Sequence, residues 1–227
     1  MNDNLKLPKE AFVNKFIPKN KFYEKLNLAT KLQKEFIDKI QKITWKYKLA
    51  ESTIGISKTD KVVEIQIFEI ELKEQSIPKN VLKVIDKAIP YQILYRFVYN
   101  GRVAYAITLK ENVSPEQYYF SDWDEPLNFD FSGIDLEKVY QKLIKAFLRE
   151  SLQVQGDFHD LISKERQLNT LEKEIKILES KIKKEKQFNK KVDINKILLA
   201  KKKAYDLLTT EICNDHGNTE VHGKGEK

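Results

Sequence analysis

The chain has 227 residues, of which 41% are hydrophobic and 33% charged, so it fits one globular domain with an appendage or two small domains. Its 41 Lys and Arg residues outnumber 34 Asp and Glu residues, and the net charge of +7 is concentrated in residues 1–60 and 157–212. The single cysteine, Cys213, excludes an intramolecular disulfide, and the sequence has no apolar run of the roughly 18 residues that cross a bilayer. Without a secretory signal pattern, we expect a soluble protein of the reducing cytoplasm.

The first part of the chain, residues 1–26, is predicted to be an extended lead-in, because prolines and scattered lysines leave no sustained period. From Asn27 to Tyr47, apolar residues recur at intervals of three and four, the spacing of one helix face. The pattern therefore predicts a helix over residues 27–48, which begins an α/β body at residue 27.

Two strands are predicted after this helix, over residues 53–56 and 62–72. The apolar alternation of the second strand changes face at Phe68, as a β-bulge in that strand would cause. Beyond that point Glu69, Glu71 and Lys73 share the polar face.

A helix over residues 78–89 and a β-hairpin come next. Asn100-Gly101 supplies the two positive φ angles that a two-residue type I′ turn requires, so residues 93–99 and 102–109 are predicted to pair. Both faces of this hairpin are largely apolar, which predicts a sheet that helices cover on both sides.

Residues 115–131 combine aromatic and acidic side chains without a period, which favours an ordered loop. Ser132 and Asp135 resemble a capping box that opens another helix. The α/β body is predicted to end near Gly156.

The C-terminal part is predicted to be a basic antiparallel helical hairpin over residues 157–212 that resembles a short coiled coil, because Leu and Ile repeat in heptads from Leu161. The break between its helices is predicted at residues 189–193, and residues 213–227 are predicted to be a disordered tail. The fold class is mixed α+β: helices and β-hairpins form a sheet covered by helices, and the helical hairpin follows it.

A Glu-x-Lys motif at the end of the second predicted strand is one candidate for chemistry. The predicted order helix, strand, strand, helix, strand is that of restriction-endonuclease-like nucleases, whose second core strand carries this motif. Asp60 and Glu71 would bind Mg²⁺, with Glu64 as the alternative ligand, and Lys73 would orient or deprotonate the attacking water. The same residues also fit a solvated strand face.

A lysine cluster near the predicted hairpin tip is the second candidate. Residues 181–203 hold ten lysines against Glu185 and Asp193. Such clusters neutralise phosphates and give sequence-independent affinity for nucleic acid, although solvated coiled-coil faces are lysine-rich as well. The candidate DNA-binding residues are Lys181, Lys183, Lys184, Lys186, Lys190 and Lys191.

Other chemistry is disfavoured by the residues present. The chain has no Walker A loop, Rossmann fingerprint, nucleophile elbow or zinc pattern. Cys213, His216 and His222 stand in the polar tail, where no fold would orient them as metal ligands. No cofactor is predicted apart from Mg²⁺ in the nuclease alternative.

Several segments of the chain resemble the bacterial family called domain of unknown function 4391, over most of residues 7–208. They are FIPKNKFYEKLNLATKLQKEFIDKIQKITWKYKLA, VVEIQIFEIELK, VLKVIDKAIPYQILYRFVY and KKEKQFNKKVDINKIL. Members of that family tend to be encoded beside DNA methyltransferases and superfamily 2 helicases of restriction-modification or phage-defence loci. The resemblance therefore implies work on DNA or a scaffold role, and it identifies no catalytic residue.

The leading hypothesis is a non-enzymatic accessory subunit of a restriction-modification or phage-defence system. Its α/β body would dock a helicase or a methyltransferase, and its basic hairpin would add protein or DNA contacts. The alternative from another class is a metal-dependent nuclease that uses the Glu-x-Lys motif. A third hypothesis is a stand-alone dimeric DNA-binding protein, with a homodimer formed through residues 161–208.

Overall fold

The computed structural model describes residues 5–110, 117–153 and 156–217, the last five by their backbone alone. The chain divides into two compact units, Met1–Phe147 and Leu148–Lys227. The first unit contains a six-stranded mixed sheet with helices, and the second contains two long helices. The predicted mixed α+β class, with a C-terminal helical hairpin, is confirmed.

The described part of the first unit contains six strands and five α-helices. In chain order they are β1 (Phe12–Phe16), α1 (Asn20–Leu26), α2 (Thr30–Lys39), β2 (Ile40–Leu49), α3 (Glu51–Ile54), β3 (Ile65–Leu72), α4 (Lys79–Ala88), β4 (Gln92–Tyr99), β5 (Arg102–Leu109), β6 (Gln117–Phe120) and α5 (Leu136–Lys145).

The six strands lie in the sheet in the order in which they occur along the chain. β3 and β4 are parallel, and all other neighbours are antiparallel. Two parallel neighbours need a long crossover, which α4 supplies. The parallel pair therefore occupies the centre of the sheet, where both faces are covered.

Successive residues of the central strands point to opposite faces of the sheet. On the first face, Phe68, Tyr95 and Phe97 pack with residues of α1, α2 and α4 in one hydrophobic cluster. On the second face, Ile67 and Leu94 are also fully buried. Helix α5 contacts β5 and covers part of the second face. Its apolar side chains are buried, and they do not belong to the hydrophobic cluster on the first face.

The N-terminal quarter differs from the prediction. The extended lead-in contains β1 and α1, and the helix predicted over residues 27–48 ends at Lys39, where β2 begins. The pairing of β2 with β3 skips Gln41 and Lys46, which marks two bulges in β2. Each bulge adds a residue, so buried side chains in β2 recur at three and four and imitate a helix.

The bulge predicted at Phe68 was placed on the wrong strand. β3 pairs with β4 without a break, and the irregularity opposite Phe68 belongs to β2. The apolar alternation of β3 changes because Ile67 and Phe68 face two different buried layers. A strand buried on both faces has no polar side to preserve.

The predicted Asn-Gly hairpin is confirmed: Asn100 and Gly101 have φ angles of 48° and 82° and join β4 to β5. The helix predicted over residues 78–89 is α4.

Three smaller predictions were wrong. Residues 53–56 form no strand, because Thr53 caps the short helix α3. The predicted loop 115–131 contains β6, although residues 111–116 lie outside the described part. The cap of α5 is Asp135 alone, whose carboxylate accepts from the backbone N–H of Lys138 at 2.8 Å.

The second unit is a hairpin of α6 (Phe158–Lys184) and α7 (Phe188–Gly217). Leu168 and Leu198 are buried, and ion pairs link Lys201 to Glu174 at 2.7 Å and Lys202 to Glu179 at 2.8 Å.

The break predicted at residues 189–193 is instead at residues 185–187. The Glu185 carboxylate accepts from the N–H groups of Lys186 and Gln187 and stabilises the start of α7. α7 also continues to Gly217, into the first five residues of the predicted disordered tail, while residues 218–227 lie outside the described part. Among the described helices, none is both long and apolar enough to span a membrane.

The turn between β4 and β5 gives the first prediction. Replacing Gly101 by Ala should lower the free energy of unfolding of the first unit by about 1–2 kcal/mol, because a Cβ disfavours positive φ. Urea unfolding followed by tryptophan fluorescence measures this, since both tryptophans, Trp45 and Trp123, lie in the first unit. Asn100→Gly, which preserves the turn, is the matched control. Equal midpoints for Gly101→Ala and the wild type would contradict the assigned turn.

Candidate functional site

The residues of the predicted nuclease site lie at opposite ends of β3. Asp60 is exposed and precedes the strand, next to Lys61, whose carbonyl accepts from Gln92 Nε2 at 3.0 Å. Gln92 pairs with Ile65, the first residue of β3. Glu71 is six residues further along, about 20 Å away at the rise of a strand. The structure therefore does not bring Asp60 and Glu71 together.

The other predicted ligand and the lysine also have separate partners. Glu64 is buried before β3, where it accepts from Gln66 at 2.6 Å and pairs with Lys48 at 3.0 Å. Lys73 follows β3 at its other end and donates to the carbonyl of Ile37 at 2.8 Å.

The remaining member of the motif, Glu71, is more than one third exposed and forms an ion pair with Lys42 at 3.5 Å. Across the described residues, no group of three or more His, Cys, Asp and Glu side chains is placed to hold a metal ion. Cys213 and His216 belong to the last turns of α7, and His222 is outside the described residues.

A buried polar cluster that sequence reasoning missed is centred on Asp86 of α4. Its side chain is fully buried, and Oδ2 accepts from Thr108 Oγ1 at 2.9 Å and from the Tyr118 hydroxyl at 2.5 Å. The Lys110 ammonium lies 3.1 Å from Oδ1 and donates to the carbonyls of Ile89 and Tyr91. This ion pair joins α4 to the ends of β5 and β6.

The sequence contained a signal for this cluster. Asp86 stands among Val81, Leu82, Val84 and Ile85, on a helix whose apolar side chains are buried. A charged residue in such a stripe needs a buried partner, because an isolated buried charge costs several kcal/mol. The signal does not identify the partner, since Lys110 is separated by a β-hairpin.

A second missed cluster crosses the second face of the sheet. Glu69 of β3 and Arg96 of β4 are register partners and form a hydrogen-bonded ion pair, and Lys46 of β2 lies 3.3 Å from the same carboxylate. The exposed fractions of these side chains are 14%, 12% and 21% for Glu69, Arg96 and Lys46. Two cations therefore surround one carboxylate in a largely desolvated place.

The predicted DNA-binding lysines lie around the tip of the hairpin. Lys181, Lys183 and Lys184 are in the last turn of α6, Lys186 is in the turn, and Lys190 and Lys191 are in the first turns of α7. Within the described part of the chain, none of the six pairs with a carboxylate inside 4.0 Å, unlike Lys201 and Lys202 further along α7. The cations at the tip are thus concentrated, and none of the six is in close contact with a carboxylate of the described residues.

The turn contains one carboxylate, that of Glu185, and among the described residues it forms no close ion pair with the lysines around it. The N–H groups of Gln187 and Lys186 hold the pKa of Glu185 below its usual value, with a smaller contribution from Lys190 and Lys191. Glu185 is therefore ionised near neutral pH and caps α7 while the lysines around it remain solvated.

Arg149, which precedes α6, links α6 to α7 away from the tip of the hairpin. Its guanidinium donates to Glu172 at 2.7 Å, to Asn169 at 2.8 Å and to the Tyr205 hydroxyl at 3.2 Å, and it pairs with Glu165. The bond to Glu172 is the main cause of the raised pKa of Arg149, and the same bond lowers the pKa of Glu172. This network fixes α6 against α7 far along the chain from the basic tip.

The Asp86 cluster gives a stability prediction. Asp86→Ala should lower the free energy of unfolding of the first unit by about 3 kcal/mol or more, because it leaves the Lys110 ammonium buried without its counter-ion. Thr108→Val removes one neutral donor and should cost about 1 kcal/mol. Lys87→Ala, on the exposed side of the same helix, is the control. A cost below about 1 kcal/mol for Asp86→Ala, measured by urea unfolding, would show that the ion pair is not a structural support.

Comparison with known proteins identifies one family. The family described as Domain of unknown function (DUF4391) matches residues 5–204. No curated protein and no solved structure matches the chain. The match extends over both units, including the Asp86 cluster, the Glu69–Arg96 pair and the basic hairpin tip. The chain therefore belongs to the DUF4391 family.

Proposed function

We propose that this protein is an accessory interaction subunit of a bacterial restriction-modification or phage-defence system, working in the cytoplasm. In this proposal its basic hairpin contacts duplex DNA, and the protein docks a helicase or a DNA methyltransferase subunit. The observation that carries the proposal is the group of six lysines at the hairpin tip, which have no carboxylate within 4.0 Å among the described residues.

Electrostatics supports DNA as the ligand of the tip. The lysines are distributed over the last turn of one helix, a three-residue turn and the first turns of the next helix. Flexible ammonium groups in this arrangement neutralise backbone phosphates and release counterions without reading bases. No aromatic ring other than that of Phe188 lies in residues 181–191, so base stacking on a single strand is disfavoured.

A row of apolar side chains supports a protein partner for the same hairpin. Phe188, Val192 and Leu199 of α7 are 77%, 37% and 59% exposed and follow one another at helical spacing. Exposed apolar residues in such a row are typical of helix-mediated contacts. A partner subunit is our preferred occupant, and a homodimer through residues 161–208 is the alternative.

The DNA contact is tested by removing charge at the tip. A variant with Lys183, Lys184, Lys190 and Lys191 all changed to Gln should bind duplex DNA more weakly, whatever the sequence. The slope of log K against log salt should also become shallower, by about 0.9 for each phosphate that the tip no longer neutralises. Fluorescence anisotropy with a labelled duplex at several salt concentrations measures both quantities.

The matched control changes four exposed lysines of the first unit, Lys31, Lys34, Lys83 and Lys87, to Gln. It alters the net charge equally, so it separates a local contact from the effect of total charge. An unchanged slope in the tip variant, or an equal loss of affinity in the control variant, would contradict the proposed DNA contact.

A further inference from the structure

A cleft on the second face of the sheet has no role in the proposed DNA contact. It lies within the first unit, beside β4 and β5, and has a volume of about 1130 Å³. The N-terminal segment 5–8, Ile54 and Ile56, and the segment 124–132 form its walls. This volume is slightly above the range of about 300–1,000 Å³ that is typical of small-molecule sites.

Two cations of the described chain, Lys6 of the N-terminal segment and Arg96 of β4, line this cleft, and Arg96 is the one that belongs to the sheet. Its register partners are Glu69 on one neighbouring strand and Tyr105 on the other, so the three residues form a row across the sheet. Within the described residues, only Nη1 of its guanidinium donates a hydrogen bond, to Glu69. A guanidinium has five N–H donors, so Nε and Nη2 of Arg96 remain for a ligand in the cleft.

The local charge at Arg96 favours an anion there. Lys46 and Arg96 both pair with the Glu69 carboxylate, so these three side chains together carry one more cation than anions. At the rim, Lys142 is the main cause, with Ser132, of an Asp130 pKa of about 2, so Lys142 already compensates that carboxylate.

The other two rim carboxylates are engaged as well. Hydrogen bonds from Arg102 and from the backbone of Val103 lower the pKa of Asp124. Glu125 accepts from the N–H of Asp122 at 2.7 Å. These acids hold the rim segment in place, and Arg96 keeps free donors at the floor.

Aromatic rings form the wall beside Arg96. The centroids of the Tyr105 and Phe129 rings are 4.9 Å apart in an edge-to-face arrangement, and Phe131 is 6.3 Å beyond Phe129. Such a wall offers both ring faces and ring edges to a planar group. An anion next to a planar ring would therefore meet complementary groups on the floor and on the wall.

We propose that this cleft binds a small molecule that carries an oxyanion on a planar ring. Arg96 binds the oxyanion through its free N–H donors, and the Tyr105–Phe129–Phe131 wall contacts the ring. Because the guanidinium already pairs with Glu69, it is held in place before the ligand arrives, which lowers the entropy cost of binding.

Titration calorimetry of the full chain with phenyl phosphate and with benzoate tests the proposal and separates a phosphate from a carboxylate. We expect saturable binding of at least one of them, with a Kd of about 1 mM or below, as suits a ligand of this size. Benzyl alcohol has the ring without the anion, and inorganic phosphate has the anion without the ring. Both should bind at least tenfold more weakly.

Two variants locate the binding. Arg96→Gln should raise the Kd at least tenfold, while Lys87→Gln on the other side of the sheet should leave it unchanged. Leu127→Trp should also abolish binding, because it fills the cleft from the rim and leaves the Glu69–Arg96 pair intact. If Arg96→Gln lowers the melting temperature of the protein below the assay temperature, the binding result for Leu127→Trp tests the proposal instead.

Three results would overturn the proposal: no saturable binding of either anion by the wild type, equal affinity for benzyl alcohol, or wild-type affinity in Leu127→Trp. None of them bears on the DNA contact, because Arg96 and the cleft belong to the first unit and the tip lysines belong to the second.

Discussion

The parallel pairing of β3 with β4 is the constraint on which the first unit depends. It requires a crossover, and α4 supplies both that crossover and the main apolar stripe on the first face. It also buries most of both strands on both faces, so a charged residue that is buried in them or in α4 needs a partner inside the protein. Glu69 with Arg96, and Asp86 with Lys110, are those pairs. The polar chemistry of this unit thus follows from its topology.

The two units place their charges according to different rules. In the first unit, the largely buried cations Arg96 and Lys110 pair with carboxylates, and each ion pair links neighbouring strands or helices. In the hairpin, Lys201 and Lys202 pair with α6 and Lys196 pairs with Asp193, whereas the six lysines at the tip have no carboxylate within 4.0 Å among the described residues. Exposed ion pairs stabilise little, so lysines at a tip add little to the fold and are available for a partner. The contrast is our reason for proposing a DNA contact at the hairpin and a small-ligand site on the sheet.

Sequence patterns predicted the local features well and the long-range ones poorly. The Asn100-Gly101 turn and α4 were correctly placed because turn chemistry and helix periodicity act within a few residues. β2 was mistaken for helix because its two bulges space buried side chains as a helix does. The candidate sites follow the same division: the tip lysines are neighbours in sequence, whereas the partners of Asp86 and Arg96 are distant. The Glu-x-Lys motif lies at one end of β3 and Asp60 precedes the other end, a separation that the sequence pattern did not predict.

The central claim is that the hairpin tip is the part of this protein that contacts DNA. Acetylation of lysines by an amine-reactive reagent, followed by mass spectrometry with and without a 20-base-pair duplex, tests it on the unmodified chain. The account predicts that DNA slows acetylation of Lys181, Lys183, Lys184, Lys186, Lys190 and Lys191 and leaves the exposed lysines of α2 and α4 unaffected. Protection confined to the first unit, or equal protection of all exposed lysines, would contradict it.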